Sequence, residues 1–205
     1  MRIQALFPTC IYHAPLQRTG AKALNRELIK ETNQIRGYDI EGQKWSKKNY
    51  RGGYTSYGSL DKLHQMSSTF RELEKKLNRH IKTFAEHIQF DLKNRELVMT
   101  DCWVNVMPEH TVHGLHLHPT STISGTYYVR MPKGCSSIKF EDPRLANMMA
   151  APPRKTDARP ENRQFVEYPA EAGSLILFES WLRHEVASNP TRSERISISF
   201  NYNWF

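Results

Sequence analysis

The chain has 205 residues, with 29 Lys+Arg against 21 Asp+Glu and a formal net charge of +8. Hydrophobic residues make up 39% and charged ones 24%, too apolar for a disordered chain and ordinary for one folded domain. No apolar run approaches 18 residues, Met1 to Pro8 lacks the apolar core and cleavage site of a secretory signal, and Cys10, Cys102 and Cys135 show no CxxC spacing, so a membrane span, secretion, a disulfide framework and a thiolate zinc site are all disfavoured.

The expected location is the cytoplasm. The first half reads helical. Ala21 to Arg36 carries a partial apolar stripe at Leu24, Leu28 and Ile29, and Tyr38 to Gly58, rich in Gly, Tyr and Lys, reads as loop. From about Leu60 to Phe90 the apolar positions Leu63, Phe70, Leu73, Leu77, Ile81, Phe84 and Ile88 step by three, four or seven, one face of a long helix with Asp61 near its cap. That ridge could pack on a core or pair two subunits in a homodimer.

After Leu97 the texture changes to short β-rich runs: Val98 to Met107, Val112 to His118, Ile123 to Met131, Ser137 to Phe140, Gln164 to Tyr168, Ser174 to Phe178, His184 to Ala187 and Arg195 to Trp204. Pro, Gly and Asn punctuate them, which predicts an antiparallel jelly roll. The fold class is thus α+β, a single domain with a helical layer over about 1–95 and a β core over about 96–205. The segment Asp142 to Arg163 reads as a lid or insertion.

The last strand alternates strictly. Ile196, Ile198, Phe200, Tyr202 and Trp204 share one face, and Arg195, Ser197, Ser199, Asn201 and Asn203 the other. The apolar face fits the helical layer; the polar face points to solvent or into a lumen. Ile123 to Val129 alternates likewise, with Ser124, Thr126 and Tyr128 together, so two polar rows could line one cavity.

His116 and His118, two apart on a strand, point the same way with Cβ atoms roughly 7 Å apart, so both imidazoles can reach one metal. His184, at the end of an apolar strand, is the plausible third ligand. Arg195 opens the polar-faced strand with a guanidinium suited to a carboxylate, and Ser197 shares its face. His110 and His113 fall off this register and read as surface or supporting residues.

The run His116-x-His118-Pro119 … Ser124-Gly125-x-Tyr127-Tyr128, then Phe140-Glu141-Asp142-Pro143, then Gly173-Ser174-Leu175-Ile176-Leu177-Phe178-x-x-Trp181-Leu182-x-His184-Glu185-Val186, and Glu194-Arg195-Ile196-Ser197-Ile198-Ser199-Phe200-Asn201 resembles the Fe(II)- and 2-oxoglutarate-dependent dioxygenase superfamily. It is most similar there to a group of bacterial and phage oxygenases distantly related to prolyl hydroxylases. The resemblance implies a double-stranded β-helix in which His116 and His184 hold the metal. Arg195, beside Ser197, would bind the far carboxylate of 2-oxoglutarate, and Tyr128 would donate its hydroxyl to it. Ser124 lies on the same face; Asn105 is either part of the cosubstrate or substrate wall or a buried structural residue. The implied cofactors are Fe(II), 2-oxoglutarate and O2, and the implied reaction is hydroxylation of an unactivated C–H bond with release of succinate and CO2, or desaturation or cyclisation.

The superfamily usually has a carboxylate two residues after the first histidine; here His118 stands there, which predicts a His116/His118/His184 face less selective for iron. Glu109, Asp142 and Glu185 lack the spacing to replace it. Two other readings compete. One is a cupin-like metal-binding protein without turnover, Arg195 being only a strand salt bridge. The other is a nucleic-acid-acting dioxygenase using basic loops around Lys47 and Arg154, although the basic residues are scattered rather than striped. The expected partner is a small-molecule or peptide substrate bounded by Gly52 to Gly58 and by the insertion, with no membrane involved.

Overall fold

The computed structural model describes residues 2–144 and 150–205. Its helices are α1 (Ala21–Tyr38), α2 (Ile40–Asn49), α3 (Leu63–Met66) and α4 (Ser68–His87). The stripe of Phe70, Leu73, Leu77, Ile81 and Phe84 makes α4 amphipathic, and all five are completely buried in one core with α1 residues Leu28 and Ile35. That ridge is used inside the molecule, so it is not a face free to pair subunits.

Three local expectations are corrected. The long helix is broken at Ser67, whose hydroxyl accepts from the Thr69 backbone N–H and caps α4. Asp61 does not cap; the carbonyl of Asp61 accepts from Cys102 N at 2.7 Å, and Lys62 bridges Cys102, tying this stretch to a strand. The supposed loop 38–58 contains α2, started by Asp39, whose side chain accepts from Gly42 N at 2.9 Å. Gly42 is required there, since a Cβ would fall 1.9 Å from Asp39 Oδ2. The same carboxylate accepts from Tyr54 and Ser59 hydroxyls, so tertiary bonds hold a polar segment that has little apolar period of its own.

Ten strands follow in chain order: β1 (Ile11–Pro15), β2 (Tyr54–Thr55), β3 (Leu97–Met107), β4 (His113–His116), β5 (Ile123–Arg130), β6 (Ile138–Glu141), β7 (Phe165–Tyr168), β8 (Ser174–Glu179), β9 (His184–Val186) and β10 (Arg195–Trp204). All eight predicted runs are strands; β1 and β2 were not anticipated. They form two antiparallel sheets, β1-β8-β5-β10-β3-β2 and β4-β9-β6-β7, the double-stranded β-helix with helices packed on the larger sheet. The tip 145–149 of the predicted insertion lies outside the described residues.

Side-chain parity decides what each face of the larger sheet meets. Val104, Val106, Ile123, Tyr127, Leu175, Leu177, Ile196, Ile198, Phe200 and Tyr202 join the helical core. The alternate positions Met107, Tyr128, Ile176 and Phe178 join a second cluster with Ile138, Phe140 and Val186 of the smaller sheet. Fully burying one such side chain contributes roughly 1.5–3 kcal/mol, and a one-residue slip of β10 would exchange Ile196, Ile198 and Phe200 for Arg195, Ser197 and Ser199. The register is therefore fixed strongly. Trp204, expected on the apolar face, sits past the core, exposed under the Arg95 guanidinium at 4.5 Å. Arg195, Ser197, Ser199 and Asn201 are all buried, so the polar face of β10 looks into the space between the sheets.

Candidate metal and carboxylate site

That space is lined by Trp103, Asn105, His113, His116, His118, Thr126, His184, Arg195, Ser197 and Ser199, among others. Antiparallel pairing puts His116 of β4 opposite His184 of β9, and His118 follows two residues on. The ligand-capable atoms of His116, His118 and His184 lie within 4.8 Å of one another, close enough for one cation to gather all three.

The hydrogen bonds select one tautomer throughout. His116 Nδ1 lies 2.8 Å from Gly114 O, His184 Nδ1 2.9 Å from Leu182 O, and His118 Nδ1 2.6 Å from Asn201 Oδ1. Carbonyl oxygens only accept, so each Nδ1 carries the proton and each Nε2 presents a lone pair. Burial also keeps the rings neutral. It pulls His118 down to about 4, mainly by desolvation and with His116 adding to the fall, and it holds His184 well below the usual histidine value. Neutral imidazole is the ligating form.

His113 was expected at the surface or in support, and it supports: its ring stacks on His116 with centroids 4.5 Å and planes 10° apart. Desolvation, then the His116 and Arg195 charges, lower it to about 3. His110 is exposed with φ 65 in a turn and takes no part. The three carboxylates considered from sequence stand elsewhere: Asp142 pairs Arg144, Glu185 pairs Lys139, and Glu109 is exposed.

At the other end of the cavity Arg195 is 2% exposed. Its Nη1 donates to Ser197 Oγ at 3.1 Å and contacts Met107 Sδ, both neutral, and its Nε has no partner. Two buried phenols, Tyr50 and Tyr128, also lack partners, as does Asn105 Oδ1. Burial raises Tyr128 to about 12 and Tyr50 further, in each case countered by the positive charge of Arg195; the Tyr128 ring lies 5.5 Å from the guanidinium. A buried unpaired cation beside two unsatisfied hydroxyls is costly unless something anionic joins them. Among the described residues no carboxylate does so, which removes the strand-salt-bridge reading of Arg195.

The other expected residues separate in position. Tyr128 rather than Tyr127 faces the site; Tyr127 donates to Asn25 among the helices. Ser124 is paired with Asn201 along β10, whereas Tyr128 is paired with Ser197. The Ser124 hydroxyl contacts His118 Nδ1 at 3.0 Å and Asn201 Oδ1 at 2.8 Å, so it supports the histidine end and not the carboxylate end. Asn105 donates to Ser199 at 3.0 Å with its oxygen left over. Tyr57 packs at a tilt against Trp103, rings 5.1 Å apart, and Trp103 against His118, so the 52–58 segment does reach the cavity wall. Tyr50 was missed: it ends α2, and nothing in its neighbours signals a role.

A fold of two facing sheets with a three-histidine cluster and a buried free arginine at opposite ends of one cavity is the class of the non-haem oxygenases. Residues 101–201 match the family described as "Putative 2OG-Fe(II) oxygenase", which is the resemblance to the Fe(II)- and 2-oxoglutarate-dependent oxygenase superfamily that the motifs carry. Solved structures agree in fold. A Pseudomonas putida prolyl-4-hydroxylase is 14% identical with a TM-score of 0.60, over 95% of this chain and 92% of that one. HygX from Streptomyces hygroscopicus, with nickel, 2-oxoglutarate and hygromycin B bound, is 13% identical with a TM-score of 0.62, over 95% and 83%. The epimerase SnoN of nogalamycin biosynthesis, with Fe3+, alpha ketoglutarate and nogalamycin RO, is 14% identical with a TM-score of 0.62, over 95% and 78%. No curated protein matches in sequence. Among the described residues no helix is long and apolar enough to cross a membrane.

Proposed function

We propose that His116, His118 and His184 hold Fe(II) through their Nε2 atoms, and that Arg195, Ser197, Tyr128 and Tyr50 take the far carboxylate of 2-oxoglutarate. The substrate is a small molecule or peptide whose unactivated C–H bond is hydroxylated, with succinate and CO2 released. The observation that carries this reading is the set of orphaned polar atoms around Arg195: a carboxylate beside it would answer the free guanidinium, with the Tyr128 and Tyr50 hydroxyls, both of which feel its charge, as further donors. The chemistry of the donor set agrees, since three neutral imidazoles suit a divalent first-row metal.

When bound, iron supplies the coupling of O2 reduction to decarboxylation of the 2-oxoacid and oxidation of the substrate. The chain's own part is arrangement. Arg195 fixes one end of the cosubstrate by charge-assisted hydrogen bonds, which sets how the rest lies toward the histidines. Phe178, Phe140 and Ile138 keep water from the space between the sheets. The three neutral ligands leave the charge of the metal to be balanced by the 2-oxoglutarate dianion, so cosubstrate and metal should bind cooperatively. Tyr57 and Trp103 form a wall where a substrate ring or chain can lie beside His118. A cytoplasmic setting fits the three free cysteines.

The test is an anaerobic titration with Fe(II) and then 2-oxoglutarate, followed by O2. A visible charge-transfer band that needs both, and succinate release on oxygenation, is the expected result. Metal binding with no band and no succinate would favour the cupin-like reading instead.

A further inference from the structure

His118 occupies the place where a carboxylate ligand usually stands, and the chain carries a carboxylate two hydrogen bonds behind it. Asn201 Oδ1 faces His118 Nδ1 at 2.6 Å, and Asn201 Nδ2 donates to Asp101 Oδ2 at 3.2 Å. Asp101 Oδ1 in turn accepts from Lys62 Nζ at 2.7 Å, and the same ammonium donates to Thr100 O at 2.6 Å. Strand pairing places Asn201 directly opposite Asp101, next to the register shift between Asn201 and Tyr202. Burial works against ionisation of Asp101, but hydrogen bonds from Lys62, Thr100 and Asn201 outweigh it and hold the carboxyl below its ordinary value.

We propose that Asp101 is a positioning residue that sets the tautomer of His118 by fixing the orientation of the Asn201 amide. The inference rests on the metal reading of the three histidines, but the hydrogen-bond logic stands alone. An ionised carboxylate only accepts, so the Asn201 amide must turn its NH2 toward Asp101 and its oxygen toward His118. Two acceptors 2.6 Å apart would repel, so the His118 proton sits on Nδ1 and the Nε2 lone pair faces His116 and His184. Ser124 reinforces the same orientation by donating to Asn201 Oδ1 at 2.8 Å. Asp101 thereby also polarises the amide and makes His118 a more basic ligand, returning part of the negative charge that the histidine ligand set lacks.

The Asp101→Asn variant makes the argument testable. Lys62 still requires an acceptor, so the introduced amide keeps its oxygen toward Lys62 and offers its NH2 to Asn201. The Asn201 side chain then turns over, its NH2 faces His118, and the His118 proton moves to Nε2, against the metal face. In 15N-histidine-labelled apo protein, the ring-nitrogen spectrum should show Nδ1–H for His118 in the wild type and Nε2–H in D101N. Calorimetric titration with Ni(II) should show a rise of about 10- to 100-fold in Kd for D101N. D101N/N201D, in which the carboxylate moves one step inward and again only accepts from His118, should restore both. If D101N does not fold, N201A, which cuts the relay and leaves His118 Nδ1 facing only the Ser124 hydroxyl, should lose the fixed Nδ1–H and bind Ni(II) more weakly, and an N201A protein with wild-type tautomer and affinity overturns the proposal.

An Nε2–H wild-type ring, or a D101N protein with unchanged tautomer and affinity, overturns the proposal. Wild-type protein with the expected tautomer but no Ni(II) binding overturns the metal reading and leaves the role of Asp101 standing.

Discussion

The rings of His113 and His116 lie parallel, 4.5 Å apart, an arrangement that two imidazolium cations would not tolerate. Every histidine of the cluster is pulled toward the neutral form: His113 to about 3, His118 to about 4, and His116 and His184 also downward, desolvation leading in each case. In the unfolded chain they titrate near 6.5. Between pH 6.5 and about 4 the unfolded state therefore binds more protons than the native one, and apo-protein stability must fall as the pH falls through that window. Above 6.5 the contribution is fully present. A ring as buried as His184 adds up to about 1.4 kcal/mol per pH unit. Urea unfolding of the apo protein at pH 7 and pH 5 measures this, and an equal midpoint at both would contradict the neutral cluster.

The trio and its supporting ring should separate on mutation. His184→Ala removes one of the three proposed ligands and should raise the Ni(II) or Fe(II) dissociation constant by more than tenfold. His113→Ala leaves all three Nε2 atoms in place, so metal affinity should change by only a few-fold, with a stability loss of about 0.5–1.5 kcal/mol from the missing stack. Calorimetric metal titration distinguishes them; equal losses from both variants would mean a four-histidine site.

Tyr50 makes a more unusual prediction because its hydroxyl is buried without a partner. Tyr50→Phe deletes an unsatisfied group, so the apo protein should become more stable, by about 1–3 kcal/mol. The same change takes a donor from the proposed carboxylate cradle, so the 2-oxoglutarate dissociation constant should rise about tenfold with metal affinity unchanged. Arg195→Ala should raise it by more than a hundredfold. Thermal unfolding with and without 2-oxoglutarate reads both effects; a Tyr50→Phe protein that loses stability and keeps its cosubstrate affinity would remove Tyr50 from the site.

Gly125 in the middle of β5 has no room for a side chain. A Cβ there would lie 2.6 Å from the Phe200 ring and 2.7 Å from Ile176 O and the Leu177 side chain, and the backbone oxygen cannot yield. Gly125→Ala should cost about 1–3 kcal/mol by overpacking, seen as a lower unfolding midpoint. A neutral result would show that β5 and β8 can separate more easily than their pairing suggests.

What the sequence disclosed follows from how local each signal is. The alternation of β10 and the two-residue spacing of His116 and His118 are strand periodicities, visible without any tertiary knowledge, and both face where parity puts them. Tyr128 over Tyr127 follows from the same rule. The Asp39 cap of α2 was hidden because its partners, Gly42, Tyr54 and Ser59, spread over a polar stretch with no apolar period. Ser124 shares a face with Tyr128, yet four residues along a strand is roughly 13 Å, which carries it from the carboxylate end to the histidine end; parity gives the face and not the depth. Tyr50, Asn201 and Asp101 acquire meaning only from neighbours remote in the chain.

The placement of Tyr50 couples two parts of the molecule that the chain builds separately. It closes α2 just before Gly52 at φ 80, so a phenol from the helical half joins the proposed anion cradle otherwise made by strands. A dicarboxylate seated there would act as a clasp between the halves, and amides of the 50–56 stretch should exchange with deuterium more slowly once it is bound. Cosubstrate occupancy would then be felt as tightness at the helix–sheet seam, where the Tyr50 ring packs 5.4 Å from His113.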